Sequence, residues 1–434
     1  MTGAAQRVHI VGAGLSGLSC AVELAASGAQ ITLYEAAGHA GGRCRSWQDR
    51  TLDRTIDNGN HLLLSGNSAA LAYLRMIGAG DELTGPTDAV LPFHDLATGE
   101  GWALRPNDGR LPWWLFAPSR RVPGAGAFAH LRGLAALARA PEAATVADAL
   151  GRNPLYRRLW EPLAVAVMNT PAADASARLL WRAVRETLGA GGQACRPLVA
   201  RGGLGAAFVD PALRILAKHG AEIRFGARLQ GVATEAERLS VLRFADTDVA
   251  LAPGDAAILA MPPWSAAEIL PDVAVPDRHH AIVNAHFRLD RAVGLPGGAA
   301  LLGLVGGTAQ WLFLRGDVVS VTVSAADALA EREGKTIAGV LWRDVAAVLG
   351  LDGSAVPPHR IVKEKRATFA QTPAQTARRP ATRTALANLF LAGDWTDTGL
   401  PATIEGAIRS GRAAAEVVSE FAPENWKPAP PCAT

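Results

Sequence analysis

Residues 7–17 read Arg7-Val8-His9-Ile10-Val11-Gly12-Ala13-Gly14-Leu15-Ser16-Gly17, a short run of strand-forming residues that passes directly into three closely spaced glycines. Arg7 to Val11 has the character of a buried strand, Leu15 to Ser27 carries helical periodicity, and Gln30 to Tyr34 returns to strand. Glu35 ends that second strand, about 20 residues beyond the glycines, which completes a dinucleotide-binding βαβ pattern. Gly12 permits the tight turn, Gly14 lets backbone approach a pyrophosphate, and Gly17 lets the helix pack on the strand. Leu15 and Ser16 open a helix whose N-terminal amides attract an anion, and Glu35 with Ala36 stands where ribose hydroxyls are accepted.

A second glycine turn, Gly41-Gly42-Arg43, decides between FAD and NAD. It brings a guanidinium fork back to the pyrophosphate, which a nicotinamide site does not usually need. The third motif stands at the other end of the chain, in Leu391-Ala392-Gly393-Asp394-Trp395 and Pro401-Ala402-Thr403-Ile404-Glu405-Gly406. There Asp394 ends a strand beside the ribityl or pyrophosphate portion, and the amides of Thr403 and Ile404 open a helix towards the flavin edge that gains negative charge on reduction, with Ala402 beside them also expected to bind the cofactor. Both ends of the chain are therefore expected to hold one FAD.

Working outward, 434 residues exceed one typical core, and the 49% hydrophobic content can fill two lobes. The expected partition is a discontinuous cofactor domain, 1–75, 196–262 and 385–422, a substrate domain, 76–195 and 263–384, and a Pro-rich frayed tail, 423–434. Formal net charge is +3 with charges read as scattered, so no nucleic-acid partner is expected. Cys20, Cys44, Cys195 and Cys432 have neither C-x-x-C nor metal spacing, which fits a reducing compartment and no metal. With no basic leader before an apolar stretch and no apolar run of the ~20 residues that span a bilayer, a cytosolic location follows as the expectation.

Beyond the βαβ unit, Asn67 to Gly80 reads as helix, and periodicity then weakens through Pro123. Ala127 to Leu188 reads as several short helices broken by prolines, and His280 to Val323 as antiparallel strands. Thr336 to Leu349 and Thr403 to Phe421 read as helices. The fold class is thus α/β, a Rossmann-like domain joined to a mixed α+β substrate domain with a helical lobe.

Gly12 to Glu35, Gly41 to Arg43, Arg201 to Val232 and Gly393 to Gly411 resemble the amine oxidase and carotenoid desaturase superfamily, flavoproteins of the GR2 type, along nearly the whole chain. Within it, Ile56-Asp57-Asn58-Gly59-Asn60-His61, Leu159-Trp160-Glu161-Pro162-Leu163, Asn169-Thr170-Pro171 and Leu400 to Gly406 resemble the squalene-associated flavoproteins, the hydroxysqualene dehydroxylase family. The resemblance implies further FAD contacts from Asn58, Gly59, Asn60 and Val232. It also implies reductive removal of an allylic hydroxyl from a long isoprenoid, on the route to hopanoids or other triterpenes, with hydride from flavin N5 and a proton from the protein.

His61, Asp57 and Glu161 are the candidate acids, and His61 is favoured because it titrates nearest neutrality. The alternative readings are that His61 satisfies loop carbonyls, Asp57 anchors Arg43 or backbone amides, and Glu161 and Asn169 cap helices. Trp160, Trp181, Trp311 and Trp395 either line an isoprenoid tunnel or fill cores. Pro112-Trp113-Trp114-Leu115-Phe116 with Arg120 and Arg121 either meets lipid or forms a lid. A phytoene-type desaturase would run the flavin in reverse, and an amine oxidase would need an aromatic cage that three tyrosines supply poorly. One dinucleotide fingerprint leaves the electron donor outside the chain, either a diffusible reductant or a partner flavoprotein.

Overall fold

Strand Arg7–Val11 lies at the centre of a five-stranded parallel sheet ordered Glu222–Phe225, Gln30–Glu35, Arg7–Val11, Ala256–Leu259, Leu389–Leu391. The computed structural model describes residues 6–421, so the Pro-rich stretch and Cys432 lie outside the described residues. Alternation along each strand supplies two apolar faces, as a sheet covered on both sides requires. Val8, Ile10, Ile31, Leu33 and Ile258 pack with Leu18, Val22, Ile408 and Ala415 of helices Leu15–Ala26 and Ile404–Phe421. Val11, Tyr34, Ala257, Leu259 and Leu391 instead meet Leu242 and Phe244 of an antiparallel meander, Leu229–Glu235, Arg238–Phe244 and Asp248–Ala250.

The first and last helices touch backbone to backbone. A methyl group on Gly411 would lie 2.2 Å from the Ser16 carbonyl oxygen. Ser16 Oγ donates to Ala407 O at 2.7 Å and Ser19 Oγ to Ile408 O at 3.3 Å. Segments almost 400 residues apart are thereby joined at the start of the dinucleotide helix.

The second sheet has seven strands, ordered His359–Phe369, His279–Arg288, Val318–Val323, Trp311–Arg315, Leu301–Val305, Leu91–Asp95, Gly101–Leu104. Val283, Ala285, Phe287 and Val321 pack against Ile337, Leu341 and Val345 of helix Gly334–Leu349. The opposite face carries buried Asn284, His286, Ser320 and Thr322. Buried polar groups demand partners: Asn284 and Thr322 find them in the loop after Asp57, while His286 and Ser320 bond each other at 2.8 Å.

Two hairpins fall where the sequence showed little periodicity. Ser46–Asp49 pairs with Arg54–Asp57, and Leu91–Asp95 with Gly101–Leu104. In the second, Gly101 lies on the edge strand and Pro92 precedes Phe93, the first residue paired with Leu301–Val305, so both are tolerated and mask the strand pattern. The short helices expected after residue 127 are Ala127–Arg139, Val146–Leu150, Glu161–Met168 and Ala177–Glu186, packed around Leu137, Leu159, Trp160 and Leu180.

Candidate functional site

At the first glycine turn, Gly12 has φ 111°, and a methyl group there would meet the Ala260 carbonyl oxygen at 2.3 Å. Gly17 is closer still, with only 1.9 Å between such a methyl and the Gly12 carbonyl oxygen. Gly14 differs from both, because no atom lies within 4 Å of the corresponding point, which leaves one edge of the turn open. The second glycine turn runs alongside it: Gly41 N–H donates to Ala13 O at 2.8 Å. Among the described residues the amides of Ser16, Gly42 and Arg43 have no acceptor, so donors from two turns converge beside the open edge. Glu35 is half-buried and accepts N–H donors from Ala13 at 2.9 Å and Ala37 at 2.8 Å, one at each oxygen, next to exposed Ala36.

Arg43 does not stand free. It donates to Asp394 at 2.7 Å and to the Ala367 carbonyl, so the cation of one motif pairs with the acid of another. Partial burial opposes its charge, but Asp394 more than offsets that and raises its pKa. Gly393 N–H donates to Ser410 Oγ at 2.9 Å, which fixes the turn carrying Asp394 to the last helix. Thr403 caps that helix by accepting Gly406 N–H at 3.1 Å, and the amides of Thr403 and Ile404 keep no partner among the described residues. The N–H of neighbouring Ala402 donates to Gln371 Oε1 at 2.9 Å and so is engaged within the protein. Two helix N-termini with unpaired amides, an open glycine edge and an acid beside a ribose-binding position fit a dinucleotide. Val232 lies in the meander and pairs with Leu242.

The loop 57–61 runs from the end of the Arg54–Asp57 hairpin strand to the polar face of the second sheet. Asp57 is buried and accepts from Ser46 Oγ, from Leu204 N–H at 2.9 Å and from Arg315 Nη1 at 3.0 Å. It anchors a backbone amide, as one reading held, but not Arg43. Asn58 donates to Glu364 at 3.3 Å, and its carbonyl accepts from Asn284 at 3.2 Å. Asn60 donates to Thr322 Oγ1 at 3.1 Å, and Thr322 donates to Asn284 at 2.8 Å. The space beside Gly59 is filled by Asn284, 3.1 Å from where a side chain would begin.

His61 directs Nδ1 to the Gly59 carbonyl at 3.0 Å. A carbonyl only accepts, so Nδ1 carries the proton and Nε2 bears a lone pair in the neutral ring. Burial lowers the His61 pKa, which favours that neutral form. Its acid form is therefore the imidazolium.

Glu161 follows the wide turn Tyr156–Trp160 into its helix, is half-buried, and makes no capping bond, so the capping reading fails for it. Asn169 does cap: in the left-handed region at φ 46°, it donates to His280 O and Thr368 Oγ1, each at 3.1 Å, and accepts Ala325 N–H at 2.7 Å. It ties the helical lobe to the second sheet. Trp160 and Trp311 share the lobe's buried cluster, with half-buried Trp181 against it, whereas Trp395 lies in the core under the meander, its Nε1–H donating to Met261 O at 2.8 Å. The four thus divide between two separate clusters.

Sequence reasoning missed Gln371, Asn284, Thr322, Arg315 and Arg379. Buried Arg379 donates to the carbonyls of Leu400, Asp394 and Thr396, shaping the loop before Thr403, and burial lowers its pKa to about 10. No local pattern marks these residues, because each matters only through a partner distant in sequence.

A family profile described as flavin containing amine oxidoreductase matches residues 15–419. The chain is 48% identical to the hydroxysqualene dehydroxylase of Sinorhizobium fredii over 413 residues, which are 95% of this chain and 98% of that protein. It is 46% identical, over the same shares, to the hydroxysqualene dehydroxylase of Rhodopseudomonas palustris. Among solved structures, the cyclohexylamine oxidase of Brevibacterium oxydans matches with a TM-score of 0.70 at 16% identity, covering 96% of this chain and 99% of that one. The fold is accordingly amine-oxidase-like, with a flavin-binding domain.

Proposed function

The chain belongs to the flavin containing amine oxidoreductase family, and from that premise we infer that it is a hydroxysqualene dehydroxylase, an oxidoreductase that removes an allylic hydroxyl to yield squalene. The observation that carries this is near-half identity to proteins of that name along almost the entire length of both. In this reading the flavin is FAD, held by Gly12 to Gly17, Glu35, Gly41 to Arg43, the Asn58–Asn60 turn, Val232, Asp394 and the Thr403–Ile404 amides. Segments 1–75, 196–262 and 385–422 form the cofactor lobe, and 76–195 with 263–384 the substrate lobe. The isoprenoid's low solubility places the enzyme at a membrane face on the cytoplasmic side, with its reductant supplied from outside the chain.

Bound there, FAD would supply the hydride for a net two-electron reduction. The chain's own task is to exclude water and hold a proton where the hydroxyl departs as water. Asp57, with three donors already on its carboxylate, positions the loop. His61 and unbonded Glu161 are the proton-holding candidates, and because the His61 pKa is lowered by burial, its donor form accumulates as pH falls.

Anaerobic incubation of photoreduced protein with hydroxysqualene tests the reading. Squalene should form as the flavin spectrum reoxidises, and His61→Gln should lower and flatten the pH–rate profile. An inert reduced flavin, with oxidised protein bleached by a polyene precursor or releasing peroxide with amines, would overturn the assignment. The three tyrosines speak against amine oxidation, since Tyr34, Tyr73 and Tyr156 are all buried within the cores.

A further inference from the structure

Exposed large apolar side chains gather in one place. Leu111 is 64% exposed, Trp113 66%, Phe116 54% and Phe128 76%, four of the seven such residues in the described chain. The Trp113 ring lies 6.3 Å from Phe116, which lies 6.4 Å from Phe128 on the next helix, so three rings form one outward cluster. Contiguous exposed aromatics, unlike scattered ones, mark an interaction surface. The same turn, Trp113–Phe116, sends Trp114 and Leu115 inward to 7% and 0% exposure, and Asn107 Oδ1 accepts Trp114 N–H at 2.9 Å. The outward rings are therefore held by a packed turn.

Charge is concentrated around them, contrary to the scatter expected from the sequence. Residues 105–139 hold six arginines (105, 110, 120, 121, 132 and 139) against Asp108, a net +5 beside +3 for the whole chain, which leaves −2 elsewhere. None of the six forms an ion pair among the described residues. Among the described residues no helix is long and apolar enough to cross a membrane. Beneath the patch, Trp114 belongs to the buried cluster that includes Phe93, Trp102 and Trp311, against which Leu62 and Leu64 pack. Leu62 adjoins His61, so continuous apolar packing runs from the patch to the site loop.

We propose that Leu111, Trp113, Phe116 and Phe128 dock this chain onto an anionic lipid bilayer, with the aromatic side chains at the acyl boundary and the arginines on headgroup phosphates. The docking stands on exposure and charge, and only its purpose, delivery of an isoprenoid into the helical lobe, rests on the proposed function. Flavin-loaded protein is floated with vesicles of phosphatidylcholine alone and of phosphatidylcholine mixed with phosphatidylglycerol. It should float with the anionic vesicles, less so at high salt. The Trp113→Ala, Phe116→Ala, Phe128→Ala variant should bind at least about tenfold more weakly, and Arg110→Gln with Arg120→Gln should remove the preference for anionic lipid. Both variants should keep their flavin content and their turnover of detergent-dispersed substrate. Undiminished flotation of the aromatic variant, or a wild-type dimer that the variant abolishes while no vesicle binds, would overturn the proposal. Flotation without squalene formation would instead sink the assigned reaction and leave the docking intact.

Discussion

Replacing Asp57 by Asn distinguishes an anchor from a proton donor. The amide keeps an oxygen for Ser46 and Leu204 N–H but turns an N–H towards Arg315 Nη1, 3.0 Å from the original carboxylate oxygen. A bond to a charged group contributes about 1.5–3 kcal/mol. The Arg315 side chain is 35% exposed, so water restores part of that, and a net loss of ~1–2 kcal/mol is expected. Asp57→Ala also strands the buried Leu204 amide, which brings the total to roughly 3–5 kcal/mol. The assay pairs the temperature of flavin release with squalene formation per bound flavin. Asp57→Asn should release flavin a few degrees earlier yet turn over within about threefold of wild type. Loss of a proton donor would cost about a hundredfold to ten-thousandfold, so a fall of that size in flavin-replete Asp57→Asn would refute the anchoring argument.

Removing the Arg43–Asp394 pair by Arg43→Met should weaken flavin binding about tenfold, measured as the free-flavin fraction on dilution, with Arg43→Lys intermediate. His286 is held neutral by burial, its pKa lowered to about 4 from 6.5, so its contribution is complete above pH 6.5. As pH falls from 6.5 to 4, the unfolded chain takes up a proton that the folded chain refuses, and up to about 3 kcal/mol is lost. Melting temperature should drop across that window, and His286→Gln should make the slope shallower. Gly411→Val should cost towards the upper end of ~1–3 kcal/mol through the Ser16 carbonyl clash and leave the protein poor in flavin. Normal flavin content and melting temperature in that variant would mean that the helix contact is not needed.

The flavin-binding half of the fold was legible because its signals are local. Gly12, Gly14, Gly17 and Glu35 have fixed spacing, and the helix after Pro401 announces itself by periodicity. What escaped depends on pairing between distant segments. His359–Phe369 is an edge strand that carries charge as edges do, and its run Lys363-Glu364-Lys365-Arg366 leaves no alternating pattern to read. Asn284 and Thr322 look like ordinary strand residues until the 57–61 loop is laid across them, and Gln371 until Ala402 donates to it. The Ala402 amide shows the same dependence, since an amide near a helix start is free only if no distant side chain has reached it.

The contact between the Ser16 turn and Gly411 has a consequence for biosynthesis. A ribosome releases the glycine fingerprint almost 400 residues before the helix that backs it. Domains tend to fold as they emerge, yet here the nascent chain must wait with one side of its opening helix bare, unable to seal a cofactor until that distant helix has emerged. Such a chain invites chaperone attention during synthesis and gains its colour only once the two helices have met.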